Sequence, residues 1–124
     1  MDNTPLYPSE LFDRVKNHLL QQGDRALLDD GSYGCAYRNS NGYKCAAGCL
    51  IPDALYRPEV EHTGIVSLVL KYGVTNIFGR ELAMPGRSLD LLERLQEIHD
   101  GVPAEDWEEE LNLLAEEFNV CLEL

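Results

Sequence analysis

The residues with the widest chemical repertoire in this chain are four cysteines, Cys35, Cys45, Cys49 and Cys121, and three histidines, His18, His62 and His99. A thiol at a strand-to-helix turn feels the positive end of the helix dipole, which lowers its pKa and favours the nucleophilic thiolate. Cys45 and Cys49 sit in a segment of that kind, the small apolar run Cys45-Ala46-Ala47-Gly48-Cys49-Leu50-Ile51 that stops at Pro52. With His99 or His62 as base, either thiol would have the parts of a cysteine hydrolase or acyl transferase. Asp100 follows His99 directly and would be poorly placed to orient that imidazole unless it lay beyond a helix end. Against catalysis stands the ordinary behaviour of cysteines among Ala and Gly, which is to pack as small apolar groups.

A second chemistry is metal binding. Cys35, Cys45, Cys49 and His62 would make a Cys₃His zinc set, since C-x₃-C falls within the usual ligand spacing. The second C-x₂₋₄-C or H-x₃₋₅-H that would complete a finger is missing. Gly31, Gly34, Gly42 and Gly48 form neither a P-loop nor a dinucleotide-binding fingerprint. The sequence therefore implies no cofactor. His18 and His99 each border an apolar helical stripe, where a histidine satisfied by backbone partners is the ordinary case.

The elements that must position these groups are mostly helical by pattern. Leu11, Phe12, Val15 and Leu19 recur on one face of a helix capped by Ser9 and stopped at Gly23. After a polar turn at 29–32, Cys35-Ala36-Tyr37 and Tyr43-Lys44-Cys45 flank Arg38-Asn39-Ser40-Asn41-Gly42 and read as a β-hairpin. A turn centred on Ser40 would pair Cys35 with Cys45, whereas a tight Asn41-Gly42 turn would pair Arg38 with Cys45. Ile65, Val66, Leu68, Val69 and Leu70 are apolar nearly all round and suggest a buried central helix ended near Gly73, while β-branched Ile65, Val66 and Val69 leave a strand open. Ser88 caps a helix carrying Leu89, Leu92, Leu95 and His99, ended by Gly101. Pro103 opens the last helix, whose stripe is Trp107, Leu111, Leu114, Ala115 and Phe118. The tail Val120-Cys121-Leu122-Glu123-Leu124 alternates like an edge strand. The expected fold is one small α+β domain over residues 1–124, about four helices around a short β-hairpin or small antiparallel sheet, with an acidic helical part at 88–119.

Charge adds a functional constraint. The chain has 124 residues and a formal charge of −12. Residues 1–89 hold 10 acidic and 9 basic side chains, while residues 90–124 hold 12 acidic side chains and only Arg94. So acidic a chain is not expected to hold nucleic acid or an anionic membrane, both of which need basic patches. The start Met1-Asp2-Asn3-Thr4-Pro5 has neither the basic residues nor the apolar run of a signal peptide, and no apolar stretch approaches the roughly 18 residues of a membrane span. A cytoplasmic location with reduced thiols is the expectation. Glu105, Asp106 and Glu108 are well placed near a helix N-terminus, and Glu109 and Glu110 follow them. Glu116 and Glu117 lie toward its unfavourable end. No Lys or Arg beyond residue 94 can pair with these carboxylates at i,i+4, so the pattern fits a surface kept for a basic partner, or one that competes with nucleic acid for it.

The run from Asn41 to Tyr56, with its K-C-A-x-G-C-L-I-P-D core at 44–53, followed by Leu92-Glu93-Arg94-Leu95-Gln96-Glu97-Ile98-His99-Asp100 and Trp107, resembles a group of small uncharacterised bacteriophage and prophage proteins. The resemblance implies a bacterial-host setting and no catalytic residues. Together with the acidic face it points to a protein that binds and modulates a host macromolecule with a basic surface, as an inhibitor or anti-defence factor.

Overall fold

Pro8 has its φ fixed near the helical value and lacks an N–H that the first turn would leave unpaired, and with it opens α1 (Pro8–Gln22), directly after the extended Tyr7. The computed structural model describes residues 4–29 and 35–118. Ser9, expected as the cap, lies inside the first turn. Leu11, Phe12, Val15 and Leu19 are fully buried, and Gly23 ends the helix in the left-handed conformation, its N–H donating to Leu19 O at 2.8 Å. Four more α-helices follow: α2 (Ile65–Tyr72), α3 (Val74–Phe78), α4 (Pro85–Gly101) and α5 (Trp107–Glu117). Short 3₁₀ turns cover Gly48–Leu50, Pro58–Val60 and Ala104–Asp106.

α1, α4 and α5 pack against one another, and the 3₁₀ turn at Gly48–Leu50 closes over α1. Leu91, Leu92 and Leu95 of α4 meet the α1 stripe and the predicted α5 stripe in one continuous core. Each buried Leu or Phe in it contributes about 1.5–3 kcal/mol through area removed from water. α4 starts at Pro85, one turn earlier than expected. Ser88 is a buried helical residue whose hydroxyl donates to Ala83 O at 2.6 Å. Pro103 precedes a 3₁₀ turn, and α5 proper starts at Trp107.

The α+β expectation is corrected by this architecture. Helices take 59% of the described residues, which contain five α-helices and no β-strand or sheet. Where a hairpin was expected there are only isolated bridges, Leu27 with Cys35 and Arg38 with Lys44, so neither of the two registers is adopted. Asn39 shapes the turn, its Oδ1 accepting from the N–H groups of Asn41 and Tyr43 at 3.1 and 3.0 Å. Buried backbone polar groups need partners, and here side chains supply what strands would have given. The Tyr37 and Arg38 N–H groups donate to the Glu61 carboxylate at 2.9 and 3.2 Å. On the other arm, the Lys44 N–H donates to Gln22 Oε1 at 2.8 Å, and the Lys44 carbonyl accepts from Gln22 Nε2 and His18 Nε2 at 3.0 and 2.8 Å. A second correction concerns α2, which buries only Ile65 and Leu68 and leaves Leu70 82% exposed. The expected turn residues 30–32 and the alternating tail at 120–124 lie outside the described residues.

Gly48 is required by close approach. A Cβ built there would lie 2.0 Å from Tyr37 O, a backbone atom that the Glu61 bonds and the Tyr37 hydroxyl, donating to Thr63 O, hold in place. Gly48→Ala is therefore expected to cost about 2–3 kcal/mol, the upper range for overpacking, read as a lower urea midpoint at unchanged slope. His18 yields a pH prediction. Burial lowers its pKa from the ordinary 6.5, against the smaller opposing effect of its bond to Lys44 O. A base whose folded pKa is depressed stabilises the fold above its unfolded pKa, and the contribution is lost as pH falls below 6.5 toward the folded value. NMR titration should find His18 half-protonated below pH 6.5, and His18→Gln should flatten the loss of stability in that window.

Candidate functional site

The most connected polar group of the core is His99, in the last turn of α4, with no exposed surface. The Ala26 N–H donates to its Nε2 at 3.1 Å, so Nε2 carries the lone pair and Nδ1 the proton. Nδ1–H then donates to Asp100 Oδ1 at 2.7 Å. The ring stacks on Trp107, with centroids 5.7 Å apart and planes inclined by 25°. Arg25 fastens the same helix end, donating to the carbonyls of His99 and Val102, each at 3.1 Å. Asp100 thus does engage the imidazole of its chain neighbour, although both lie within α4.

Asp100 also gathers Gln96 Nε2, at 2.8 Å, and the thiol of Cys35. Burial raises its pKa, but hydrogen bonds from His99, Gln96 and Cys35 outweigh that and hold it below the ordinary carboxylate value. The same contact works in reverse on Cys35. Burial first, then the Asp100 charge and hydrogen bond, push its thiol up to about 11. Burial likewise raises Cys49 to about 12 and Cys45 above the usual thiol range. The Cys49 thiol donates to Ala46 O at 3.1 Å, and Cys45 Sγ accepts the Gly48 N–H at 3.3 Å. None of the three is a poised thiolate, and the lone pair of His99 is already taken by Ala26.

A cavity of about 220 Å³ is lined by Cys35, Cys45 and His62 together with Tyr37, Gln96 and Asp100. Three members of the proposed zinc set thus share a wall, while Cys49 is not part of that lining. Among the described residues, the ligand atoms that do converge belong to Cys35, His99 and Asp100, all within 4.8 Å of one another. A metal on Nδ1 would require the proton on Nε2, facing the Ala26 N–H. The cluster therefore fits a hydrogen-bonded relay better than a metal centre. Cys121 lies outside the described residues.

The acidic residues divide by face. Glu105, Glu108, Glu109 and Glu116 line a shallow depression of about 440 Å³ with Asn112 and Leu113; among the described residues no cation lines it, and Lys16 reaches its edge by donating to Asn112 Oδ1 at 3.3 Å. Asp106 is exposed in the preceding 3₁₀ turn, and Glu110 lies on the flank toward α4. Glu117 is anchored, its carboxylate held by Arg94 of α4 through two hydrogen bonds, one of 2.9 Å, which lowers its pKa. That pair crosses between helices and escapes an i,i+4 search. Its signal was the isolation of Arg94 in an acidic segment. Arg25 and Gln96, which organise the His99 end, carry no such signal.

No helix among the described residues is long and apolar enough to cross a membrane. Comparison with protein-family models, with curated proteins and with solved structures finds no match.

Thiol reactivity provides a direct check. Iodoacetamide labelling followed by peptide mapping should give a Cys35 rate that rises with pH through 8 and 9 without a plateau, and Asp100→Asn should move that rise to lower pH. A plateau below pH 8 in the unaltered chain would instead reveal an activated nucleophile.

Proposed function

We propose that the chain is a small acidic phage-type protein that works in the cytoplasm of a bacterial host by binding the basic surface of a host macromolecule, as an inhibitor or anti-defence factor. The observation that carries this reading is the outer face of α5. Glu105, Glu108, Glu109 and Glu116 have no ion pair with any described residue, and they surround Leu113, which is 52% exposed. Like charges at helical spacing cost a few tenths of a kcal/mol per pair in the free protein. A cationic partner removes that cost on binding. An apolar residue at the centre of a charged rim is the usual arrangement of a protein-binding patch. The bacterial setting rests on the resemblance of the Asn41–Tyr56 run. Competition with nucleic acid for the same basic surface is one form of this function.

The thiol-enzyme reading has less support, since the lone pair of His99 is engaged and the described thiols are all raised.

The experiment is affinity capture from bacterial lysate, comparing the unaltered chain with the Glu108→Lys, Glu109→Lys, Glu116→Lys variant at low and high salt. A partner captured at about 0.1 M salt should be lost from the variant. It should also be largely released near 1 M salt, where the screening length falls from about 10 Å to about 3 Å. Capture indifferent to both charge reversal and salt would sink the proposal.

A further inference from the structure

Between α4 and α5 runs a second groove, of about 340 Å³, that shares Leu113 with the acidic outer face. Its floor is apolar, made by Ile98 and Val102 with Leu113 as one wall. Glu97 and Glu110 stand on its rim. At one end the Arg94 guanidinium is seated on Glu117, with Glu97 3.7 Å away. The volume lies at the low end of the roughly 300–1,000 Å³ of ligand pockets, enough for one or two side chains.

We infer that this groove receives a basic polypeptide segment, an aliphatic side chain seated against Leu113 with a Lys or Arg on either side of it facing Glu97 and Glu110. The inference rests on the reading of α5 as a binding face and specifies what the partner must present. Charge selects among occupants. A second copy of this chain, at −12, brings the wrong sign, and nucleic acid and anionic lipid are repelled for the same reason. The groove selects further, because a bare cation would leave half-buried Val102 and exposed Leu113 in water, whereas an aliphatic anchor covers them. Arg94 already demonstrates that carboxylates at this groove converge on a guanidinium, at 2.9 Å from Nη2 to Glu117 Oε1.

Two synthetic peptides of equal positive charge test this, one alternating lysine with leucine and one with serine in place of every leucine. Binding to the full chain is read by fluorescence anisotropy. The leucine peptide should bind at least tenfold tighter. Leu113→Ser, at a half-exposed position whose loss leaves the core intact, should abolish that preference without changing the affinity of the serine peptide. Glu97→Gln with Glu110→Gln should weaken both peptides. Lys71→Gln, a one-unit change of charge at an exposed position of α2 away from the groove, should leave the preference as it is. Equal affinity of the unaltered chain for the two peptides overturns the groove and leaves the charge-based function standing. A preference that survives Leu113→Ser overturns the groove as well. No binding of either peptide overturns both.

Discussion

The imidazole of His99 is enclosed on every side, and three separate parts of the chain are fixed by how it is enclosed. Ala26 must come close enough to give up its N–H, which docks the segment after α1. Trp107 must lie against the ring, which sets where α5 begins. The Val102 carbonyl, between the two helices, accepts from both Trp107 Nε1 and Arg25, so the α4–α5 connection has little freedom left. A buried imidazole is costly unless both nitrogens are satisfied. Here they are, by a backbone donor and a neighbouring carboxylate, and the acidic face of α5 is aimed outward as a consequence.

The same device, a side chain standing in for a missing piece of secondary structure, explains why the middle of the chain misleads a reader of its sequence. Alternation around Asn41-Gly42 looks like a hairpin, and a turn does form there. It does not grow into strands because Glu61, Gln22 and His18 take the backbone bonds that a neighbouring strand would have taken. Those partners are remote in sequence, so local pattern cannot reveal them. By contrast, the α1, α4 and α5 stripes were legible, since their signal is a helical period that needs no knowledge of the partner. α2 failed in the opposite sense. It is apolar nearly all round, but too little protein surrounds it to cover Val66 and Leu70.

Legibility of the candidate sites divides on the same line. The acidic face is contiguous in sequence and was found by counting charge. The junction of Cys35 with Asp100 is made by tertiary packing, and nothing in the spacing of the cysteines foretold that a carboxylate would hold the first of them as a thiol. Adjacency of His99 and Asp100 was visible but read as unproductive, because side chains at i and i+1 point apart within a helix. Both residues lie within α4, yet the Asp100 carboxylate reaches the Nδ1 of its neighbour at 2.7 Å.

The energetics of α5 separate its acidity from the stability of the core. Repulsion among exposed carboxylates amounts to tenths of a kcal/mol per pair. Burial of Trp107, Leu111, Leu114 and Ala115 on the opposite side contributes several kcal/mol. Glu108, Glu109 and Glu110 even gain from the helix N-terminus, and Glu117, at the unfavourable end, has Arg94. The core therefore tolerates the charge easily without depending on it. The unpaired carboxylates can therefore be altered with the core left intact.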